Sequence, residues 1–575
     1  MKICGLKLTH DGAVALIDGN KLLFSIELEK LRNNPRYKEL DDTLLVREVL
    51  ASEGYSPDDI DVFAIDGWGG YDQDALAIQP RLQIGEMHNF LTARNGEKGF
   101  SLPVAQYRER QLNADVLESW TFVGLEIGDK NYSYESYLHV TGHIMSAYAT
   151  SPFAARGEEA FVLIWDGGMF PRMYHFDPVK KTVRNLGPLF LLIGNIYTIF
   201  SQHFGPFKVK GGFAKDDLSI AGKVMAYIAK GENREELWPH FEEIYKKSFD
   251  APMGFANKFA AEFKQRIEGQ SFSDEDILCS FHHYLGDLLL QKLTKKIKRQ
   301  AKGTPNLCMA GGCALNIKWN SLIRRSGLFA SVYVPPFPND SGSAIGAACA
   351  AMLHHTGHVA VNWDVYSGPK PEEQIPEAGW TSTDCSLEEL ARLLHEKNEP
   401  VVFLNGRAEL GPRALGNRSI IAAPVSNAMK GILNEVKDRE SYRPVSPICL
   451  EEDAPGIFEP GSPDPYMLFD HMVREEWLDR IPAICHLDRS ARLQTITEQR
   501  NPEIARLLKA YKDLSGVPML CNTSANHKGS GFFPDVRSVT DWGRVNYVWS
   551  AGKLYTKTKR VEFTHILQDQ EDLIS

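Results

Sequence analysis

The chain has 575 residues, of which 43% are hydrophobic and 24% charged, and its formal net charge is −10. This composition is ordinary for a folded globular protein, and the length predicts two or three domains. The negative charge favours no nucleic-acid partner, because binding to a phosphate backbone needs clustered Lys and Arg. The sequence has no signal-peptide pattern and no run of eighteen apolar residues, and its nine cysteines form no CxxC pair. We therefore expect a cytoplasmic protein without a membrane partner, a disulfide framework or a thiolate zinc site.

The first thirty residues alternate between strands and turns. The strand patterns ICGLKL, AVALI and KLLFSIELEK are separated by THDG and by the hairpin signal Asp18-Gly19-Asn20. From residue 161 a similar order returns in FVLIWD, PRMYHFD and KTVRNLG. In both copies Asp-Gly directly follows the first strand, at Asp11-Gly12 and Asp166-Gly167, where glycine lets backbone amides approach a ligand. The pattern predicts an internal duplication.

Helical patterns alternate with further strands along the chain. LLVREVLASEG precedes the strand DVFAID, and residues 232 to 300 carry amphipathic helical patterns. NLCMAGGCALN and SVYVPPFPNDSGSAIGAACAAML each combine a strand, a Gly-rich or Pro-rich turn and a helix, an arrangement that commonly carries ligands. Strands interleaved with helices predict an α/β fold. Between about residues 355 and 380 the sequence is rich in Pro and Gly and lacks periodicity, so we divide the chain into domains 1–360 and 361–575.

His139 and His143 lie four residues apart in the helical pattern LHVTGHIMSAY. Positions i and i+4 share a helix face, with Cβ atoms about 5 to 6 Å apart, so two imidazoles could close on one ion. Val140-Thr141 replaces the Glu-containing centre of the HExxH motif, which argues against hydrolysis by a zinc-bound water. Asp166 and Asp340, each after a strand, would complete a set suited to iron, manganese or zinc. The alternative is a pair of hydrogen-bonded or surface histidines.

Two short stretches are weaker candidates for nucleotide contacts. GGCALN, residues 311 to 316, could bring bare backbone and a helix N-terminus against a phosphate. Lys223, which follows Gly222 in AGKVMAYIAKG, could approach phosphates as well. The plainer interpretation of both stretches is a tight turn or the start of a helix.

The C-terminal domain has a distinctive pattern of cations. NGRAELGPRALGNRS places Arg407, Arg413 and Arg418 among small residues, and the guanidinium fork is suited to binding an anion. The polar residues that follow are Lys437, Arg439 and Arg443 in VKDRESYRP, Arg492 in DRSARLQ, and Asn522 and Ser524 in LCNTSAN. Such a set would suit a triphosphate and a second small phosphate. For residues 437 to 443 a solvated charged loop is the alternative, because acidic residues lie among them.

The order of these motifs resembles that of the O-carbamoyltransferases of natural-product biosynthesis, a family with tobramycin, novobiocin, cephem and nodulation members. The motifs, which cover nearly the whole chain, are HDGAVALI, LHVTGH, IWDGG, GKVM, GGCALN, PNDSGSAIGAA, GRAELGPRALGNRS, KDRESYRP, DRSARLQ and CNTSAN. The N-terminal KLTHDGAVALIDGNKLLFSIELEK, followed by RY, looks closest to the cephem 3-hydroxymethyl branch. That likeness implies a primary hydroxymethyl acceptor, in a cephem or a guanidinium alkaloid toxin.

The resemblance implies a fold and an activity for each domain. The N-terminal domain would be a duplicated ribonuclease-H-like fold of the actin-like ATPase and sugar kinase superfamily. A YrdC-like C-terminal domain would make carbamoyl adenylate from carbamoyl phosphate and ATP, with Mg²⁺ bound to the ATP. The N-terminal domain would then transfer the carbamoyl group to a small hydroxylated acceptor, and a homodimer is one option for the assembly. A tRNA threonylcarbamoylation-type enzyme and a sugar-kinase-like ATP phosphotransferase remain the alternatives.

The resemblance also assigns roles to matched residues. His10 would accept the proton of the acceptor hydroxyl. One divalent metal, iron first and manganese or zinc as alternatives, would be held by His139, His143, Asp166 and Asp340. The adenylate would contact Asp11, Gly167, Lys223, Gly311, Gly312 and Asn316. Carbamoyl phosphate and ATP would contact Arg413, Arg418, Lys437, Arg443, Arg492, Asn522 and Ser524.

The chain departs from the family pattern at three places. Leu8 stands where some relatives carry an acidic residue, so we expect His10 to lack a carboxylate that orients it. Ala226-Tyr227 replaces a common Gly-Leu, and Ala525 replaces an aromatic residue. We therefore expect differences in the acceptor pocket and at the nucleotide edge of the second domain.

Overall fold

The computed structural model describes residues 1–67, 89–105, 115–247, 252–372 and 374–563. The chain packs into two units: residues 1–25 and 39–363 form the first unit, and residues 26–38 and 364–575 form the second. Our contiguous division at residue 360 places residues 26–38 in the first domain, whereas these residues pack within the second unit. Residues 564–575 of the predicted second domain lie outside the described residues.

The first unit alternates strands and helices. Its strands are β1 (Lys2–Lys7), β2 (Ala13–Asp18), β3 (Lys21–Glu27, whose last two residues belong to the second unit), β4 (Val62–Asp66), β5 (Asn89–Asn95), β6 (Lys98–Val104), β7 (Ser119–Ile127), β8 (Lys130–Tyr137), β9 (Ala160–Ile164), β10 (Arg172–Asp177), β11 (Thr182–Pro188), β12 (Asn306–Ala310) and β13 (Ser331–Tyr333). Its helices are α1 (Leu44–Ser52), α2 (His139–Ala149), α3 (Pro152–Arg156), α4 (Ile196–Ser201), α5 (Ile220–Tyr227), α6 (Trp238–Tyr245), α7 (Pro252–Arg266), α8 (Asp274–Gln300), α9 (Ile317–Arg325) and α10 (Ser343–Thr356).

The two larger sheets of the first unit share one strand order. The first sheet runs β3-β2-β1-β4-β8-β7, and the second runs β11-β10-β9-β12-β13. In each sheet the first strand along the chain is antiparallel to the second and parallel to the fourth, as β1 is to β2 and β4, and β9 to β10 and β12. The shared order supports the duplication that the sequence predicts.

The centre of each sheet is covered on both faces, and the sequence shows why. All five residues of β9 and five of the six residues of β1 are buried, so these strands are apolar runs and not alternating ones. All eleven residues of α2 are buried as well. A helix buried on every side carries few polar residues, so the two histidines of α2 need a specific set of partners.

Helices α2 and α10 cross at backbone distance. A Cβ atom at Gly346 would lie 1.8 Å from the carbonyl oxygen of Gly142, and one at Gly5 in β1 would lie 2.0 Å from that of Ala344. Only glycine permits contacts this short. The crossing fixes α2, which carries the two histidines, against α10, which starts directly after the short 3₁₀ turn Asp340–Gly342.

The second unit is built on one mixed sheet with the order β14-β24-β23-β15-β16-β22-β17-β21, and a small sheet has the order β18-β19-β20. Its strands are β14 (Trp380–Asp384), β15 (Val401–Leu404), β16 (Arg418–Ala422), β17 (Ser446–Leu450), β18 (Phe458–Glu459), β19 (His471–Val473), β20 (Ser490–Ala491), β21 (Gln494–Ile496), β22 (Met519–Ser524), β23 (Tyr547–Ser550) and β24 (Lys553–Lys557). Its helices are α11 (Leu387–Lys397), α12 (Asn427–Val436), α13 (Pro502–Ser515) and α14 (Val536–Trp542). The α/β class expected for the chain is confirmed.

The N-terminal segment 26–38 is tied to the second unit by a buried lysine. The Nζ of Lys30 donates to the Glu27 carboxylate at 2.7 Å and to the backbone carbonyls of Glu409 at 2.6 Å and Gly411 at 2.8 Å. The same carboxylate accepts a hydrogen bond from the backbone N–H of Gly411 at 2.7 Å. A Cβ atom at Gly531 would lie 1.9 Å from the carbonyl oxygen of Glu29, so the segment is packed at backbone distance here too. Within the described ranges, no helix has the length and apolarity to cross a membrane.

We expect Gly346→Ala to destabilise the protein by about 3 kcal/mol or more, because α2 and α10 must separate to admit the methyl group. Gly222→Ala is the matched control, since Gly222 lies inside α5 and a Cβ atom there meets no atom within 4 Å. That change is expected to be neutral or to stabilise by about 0.5–1 kcal/mol. Thermal unfolding of the two variants checks the difference, and equal melting temperatures would contradict the close crossing.

Candidate functional site

Three parallel strands of the first sheet deliver polar residues to one edge. Lys7 ends β1, Asp66 ends β4, and His139 begins α2 directly after β8. Asp66 lies opposite Tyr137 in the register of β4 with β8. Because the carboxyl ends of parallel strands meet at one edge, side chains far apart in the sequence converge there.

The second sheet contributes Asp166 at its corresponding edge. β9 and β12 run parallel, with Ile164 opposite Ala310, and Asp166 follows β9 by two residues. The backbone N–H of Gly312 donates to the Asp166 carboxylate. Gly311 has a φ of +89°, and a Cβ atom there would lie 2.4 Å from the carbonyl oxygen of Trp165, so the turn requires glycine. The GGCALN turn therefore orients Asp166.

Two histidines and two aspartates converge in the first unit. His139 and His143 lie in α2 with ring centroids 4.6 Å apart, and their Nε2 atoms lie 3.6 and 3.4 Å from Oδ1 of Asp340. Both Nε2 atoms lie 4.0 Å from Oδ2 of Asp166. One ligand atom from each of the four residues is within 4.8 Å of the others, which is close enough for all four to hold one ion.

The burial of the His143 ring and the lack of hydrogen bonds to its nitrogens from the described residues fit a metal ion bound by these four residues. Its side chain is fully buried, and neither ring nitrogen makes a hydrogen bond to any residue in the described part of the chain. A buried polar atom without a hydrogen bond is costly, and a metal ion would satisfy the Nε2 lone pair. Two imidazoles and two carboxylates are a donor set that iron, manganese and zinc all accept.

Asp66 and Lys7 contact residues of this cluster through hydrogen bonds and ion pairs. The Nδ1 of His139 donates to the Asp66 carboxylate at 3.0 Å, which leaves Nε2 directed at the other ligands. The buried Nζ of Lys7 lies 2.9 Å from Asp66 and 2.8 Å from Asp340. Burial alone would raise the pKa of the Asp66 carboxyl, but His139 and Lys7 lower it far below its usual range. Asp340 is likewise kept ionised, since Lys7, His139 and His10 outweigh the effect of burial on its pKa.

His10 lies beside the same cluster. Its Nδ1 is 3.1 Å from the carboxylate of Asp11, and its Nε2 is 3.6 Å from Oδ2 of Asp340. The expectation that His10 lacks an orienting carboxylate is therefore wrong, because Asp11 provides it from the following position. Burial would lower the pKa of His10, but the nearby Asp340 and the hydrogen bond with Asp11 raise it above the usual value.

The other residues expected to bind the adenylate have local structural contacts. The carbonyl of Gly167 accepts a hydrogen bond from the backbone N–H of Asn195 at 2.9 Å. The Oδ1 of Asn316 caps α9 by accepting from the backbone N–H groups of Lys318 and Trp319, both at 3.2 Å. Lys223 lies in the middle of α5. Nucleotide binding by these residues remains a prediction.

In the second unit, buried cations crowd together. Burial lowers the pKa of the Arg492 guanidinium far below its usual range, and Arg413, Arg443 and Arg439 lower it further. Burial also lowers the pKa of Arg439 to about 9, with Arg443 contributing. A guanidinium stays protonated in proteins, so several buried positive charges lie near one another here. Asp464 is the acidic neighbour that offsets Arg413 and Arg492 in part.

Arg36 belongs to the same group of cations although it comes from segment 26–38. Its charge lowers the pKa values of Arg413, Lys437 and Arg443, each of which is lowered first by burial. The backbone N–H of Arg36 donates to the carbonyl of Gly529 at 2.9 Å, which fixes its position. The N-terminal part of the chain thus supplies one charge to the cationic cluster of the second unit.

The expected anion-binding residues differ in how their donors are used. Arg492 donates from Nε to the hydroxyl of Ser446 at 3.0 Å, and the described residues offer it no second hydrogen bond. Arg418, by contrast, donates to the backbone carbonyls of Asn405, Asn417 and Gly406 at 2.9–3.1 Å, so its guanidinium holds the surrounding loop together. This geometry does not favour the expected anion contact by Arg418.

Lys437 also has its donors engaged. Its Nζ donates to the backbone carbonyls of Ser524 at 2.6 Å and Asn526 at 2.8 Å, and to the side chain of Asn526. Asn522 donates from Nδ2 to Gln494 at 2.7 Å, and its buried Oδ1 accepts no hydrogen bond from any described residue. Lys437 therefore positions the turn that follows β22. The Oδ1 atom of Asn522 is buried and can accept a hydrogen bond.

Sequence reasoning missed four residues of these two sites: Lys7, Asp66, Arg36 and Asp464. Lys7 and Asp66 end strands whose other residues are mostly apolar, and a charged residue at the carboxyl end of a buried strand was the available signal. Arg36 lies in the RY pair that belongs to the family likeness, but nothing in its sequence neighbourhood connects it to the cations of the second unit. Asp464 lies in a loop without a motif.

Comparison with known proteins assigns the chain to a class of enzymes. The profile for the Carbamoyltransferase N-terminus matches residues 2–349, and that for the Carbamoyltransferase C-terminus matches residues 391–545. The chain belongs to the carbamoyltransferase family, which confirms the resemblance that the motif order indicated.

Relatives of the chain match over nearly their full length. Nodulation protein U of Rhizobium tropici is 48% identical over 98% of this chain and 98% of its own. The 3'-hydroxymethylcephem-O-carbamoyltransferase of Streptomyces clavuligerus is 32% identical over 95% of this chain and 97% of its own. One solved structure, the activator of the 2-hydroxyisocaproyl-CoA dehydratase from Clostridium difficile with bound ADPNP, covers 62% of this chain and 95% of its own. Its TM-score of 0.32 at 13% identity is too low to support an argument.

We expect the double variant His139→Ala, His143→Ala to lose one equivalent of transition metal per chain, because the remaining carboxylates are poor ligands for such an ion on their own. Metal analysis of the purified protein measures the loss. The control is His240→Ala, His358→Ala, which removes two histidines outside the cluster. Undiminished metal content in the first variant would exclude this metal site.

Proposed function

We propose that this carbamoyltransferase is ATP-dependent and transfers a carbamoyl group to a hydroxyl oxygen in two steps. The second unit forms carbamoyl adenylate from carbamoyl phosphate and ATP, with Mg²⁺ bound to the ATP. The first unit then transfers the carbamoyl group to a small hydroxylated acceptor. In this proposal the first unit is a duplicated ribonuclease-H-like fold, which its repeated strand order supports, and the second unit is YrdC-like.

In the proposed reaction, adenylate formation consumes ATP and carbamoyl phosphate, and carbamoyl transfer releases AMP. Carbamoyl phosphate and water give carbamate and phosphate, and a carbamate oxygen attacks the α-phosphorus of ATP, so that the bond to pyrophosphate breaks. The product is a mixed anhydride with AMP as a good leaving group. The acceptor oxygen then attacks the carbamoyl carbon, the bond to AMP breaks, and the hydroxyl proton is released.

The crowded cations of the second unit carry the first step of the proposal. Carbamoyl phosphate and ATP together bring several negative charges, and these charges would relieve the mutual repulsion of Arg413, Arg443 and Arg492. A sugar-kinase-like enzyme would have no need for such a site beside its first unit. Arg36 joins this set, whereas Arg418 and Lys437 act by holding the loops that shape it.

The first-unit cluster supports the second step. A metal ion held by His139, His143, Asp166 and Asp340 would supply positive charge for the adenylate phosphate. With Nδ1–H donated to Asp11, the Nε2 of His10 carries the lone pair that accepts the proton of the acceptor hydroxyl. Iron is our first expectation for the ion, with manganese or zinc as alternatives.

The acceptor proposed here is a small molecule with a primary hydroxyl group. The name of the cephem relatives specifies a hydroxymethyl group as the site of carbamoylation, and two such relatives cover more than nine tenths of this chain. A tRNA threonylcarbamoylation-type activity is the second candidate, but the net charge of −10 disfavours a tRNA partner. We place the reaction in the cytoplasm, where ATP and carbamoyl phosphate are made.

The experiment that tests the proposal measures pyrophosphate and ADP after incubation with ATP, carbamoyl phosphate or both. Pyrophosphate release that requires both substrates is expected. ADP formation without pyrophosphate would instead establish a phosphotransferase and overturn the proposal. Mass spectrometry of a panel of hydroxymethyl compounds, incubated with the active enzyme, identifies the acceptor.

We expect Arg492→Met to lower pyrophosphate release by at least about 10²-fold, because it removes a preorganised cation from the substrate site. The same change should raise the melting temperature of the ligand-free protein by about 2–4 °C, since it relieves repulsion among buried cations. Arg500→Met is the matched control, because Arg500 is 46% exposed and lies 3.8 Å from Glu451. If Arg492→Met lost activity and melted at a lower temperature, Arg492 would have a structural role instead.

We expect His10→Asn to leave pyrophosphate release intact and to lower carbamoyl transfer by about 10² to 10⁴, the typical contribution of a general base. Transfer is measured with 3'-hydroxymethylcephem, or with the acceptor that the panel identifies. His358→Asn, a change at an exposed histidine, is the control. Unchanged transfer by His10→Asn would remove His10 from the reaction.

A further inference from the structure

A second group of metal-ligating side chains lies where α10 ends. His354 and His355 occupy the last turn of α10, and Glu135 lies near the end of β8. One ligand atom from each residue lies within 4.8 Å of the others. We propose that Glu135, His354 and His355 form a second metal site, which binds a divalent ion of the zinc class.

The carboxylate of this group is held in place before any ion arrives. Oε1 of Glu135 lies 2.7 Å from Nε2 of His355, and its Oε2 accepts a hydrogen bond from the hydroxyl of Tyr137 at 2.5 Å. The Glu135 side chain is only 12% exposed, whereas that of His355 is 26% exposed. An ion can therefore enter from solvent and meet a fixed oxygen ligand.

The two histidine rings lie close to each other although the residues are adjacent on a helix. Adjacent residues point about 100° apart around a helix axis. The rings of His354 and His355 nevertheless have centroids 4.9 Å apart. Two imidazoles and one carboxylate are a set that zinc uses with a fourth, open position, where ligand atoms lie roughly 3.4 Å apart at bond lengths of about 2.0–2.2 Å.

The position at the end of α10 also favours a cation. The last carbonyl groups of a helix carry partial negative charge, and His354 and His355 lie in that last turn. His354 follows Asp340 by fourteen residues, so the rise along the helix places His354 roughly 20 Å from that ligand of the first cluster. The two sites are therefore independent, and each takes its own ion.

An ion at this site would join two elements that lead to the first cluster. It would tie the end of α10, which begins after Asp340, to the end of β8, which continues into α2 and His139. Zinc bound there stabilises the folded first unit by mass action. A surface ion pair between His355 and Glu135 without metal is the alternative that the experiment decides.

The experiment uses the full-length chain with His139→Ala and His143→Ala, which removes two of the four ligands of the first cluster. After removal of metal with a chelator, Zn²⁺ alone is titrated by calorimetry. We expect one Zn²⁺ per chain, a loss of that binding when His354→Ala and His355→Ala are added, and at least tenfold weaker binding with Glu135→Gln. His358→Ala, three residues beyond the site, should leave binding unchanged. Zn²⁺ should also raise the melting temperature only while both histidines of α10 are present.

Binding that survives both His354→Ala, His355→Ala and Glu135→Gln would overturn the proposal, and so would the absence of Zn²⁺ binding in the starting variant. If the His139→Ala, His143→Ala chain does not fold, the stoichiometry of the unmutated chain replaces it. Two Zn²⁺ per chain, falling to one in His354→Ala, His355→Ala, then supports the second site. One Zn²⁺ in both proteins excludes it.

Discussion

The first unit depends on one buried lysine between two carboxylates. Lys7 is fully buried and lies within 3 Å of both Asp66 and Asp340. Without that charge the two buried carboxylates would have only the imidazole rings of His139 and His10 to offset them, and poorly compensated buried charge is costly. Asp66 in turn fixes the ring of His139, and Asp340 starts the turn that leads into α10. The strand edges, the helix crossing and the ligand cluster are therefore linked through one ammonium group.

The second unit brings several buried positive charges close together. Its cations are gathered from segment 26–38, from the loop before β16, from the turn after α12 and from the approach to β21, and they repel one another. Such a site is unfavourable when empty and becomes favourable when anions enter it. The first cluster is mostly balanced by its own charges, whereas the second depends on its substrates for balance. Stability and function thus oppose each other more strongly in the second unit.

The sequence allowed much of this arrangement to be predicted, and the limits have physical causes. The repeated meanders were visible because hydrogen-bonded neighbours in them are also neighbours in sequence. The histidine pair was visible because i, i+4 spacing fixes a shared helix face. The contacts of Asp66 and Lys7 with the cluster could not be predicted, because they depend on strand order, which a single sequence does not reveal. The hydrogen bonds of Arg418 could not be predicted, because composition shows that an arginine lies among small residues but not that backbone carbonyls surround it.

The contact of His10 with the Asp11 carboxylate could not be predicted, for a related reason. The resemblance to the family places the expected acidic residue two positions upstream, at Leu8, whereas the backbone at Asp11 adopts a φ of +58° that turns its side chain back onto the imidazole ring. Aspartate tolerates this left-handed conformation better than most residues. The local backbone conformation at Asp11 therefore brings a carboxylate to His10 from the following position.

The packing of segment 26–38 has a consequence for how the protein is made. Lys30 leaves the ribosome early, but its partner Glu409 follows 379 residues later. At typical synthesis rates of about 5–20 residues per second, the segment waits roughly 20 to 80 seconds for the surface that buries it. During that time the ammonium group of Lys30 and the carboxylate of Glu27 must stay hydrated and near each other. The second unit can therefore be completed only late in biosynthesis. Folding of the first unit during synthesis does not change this order.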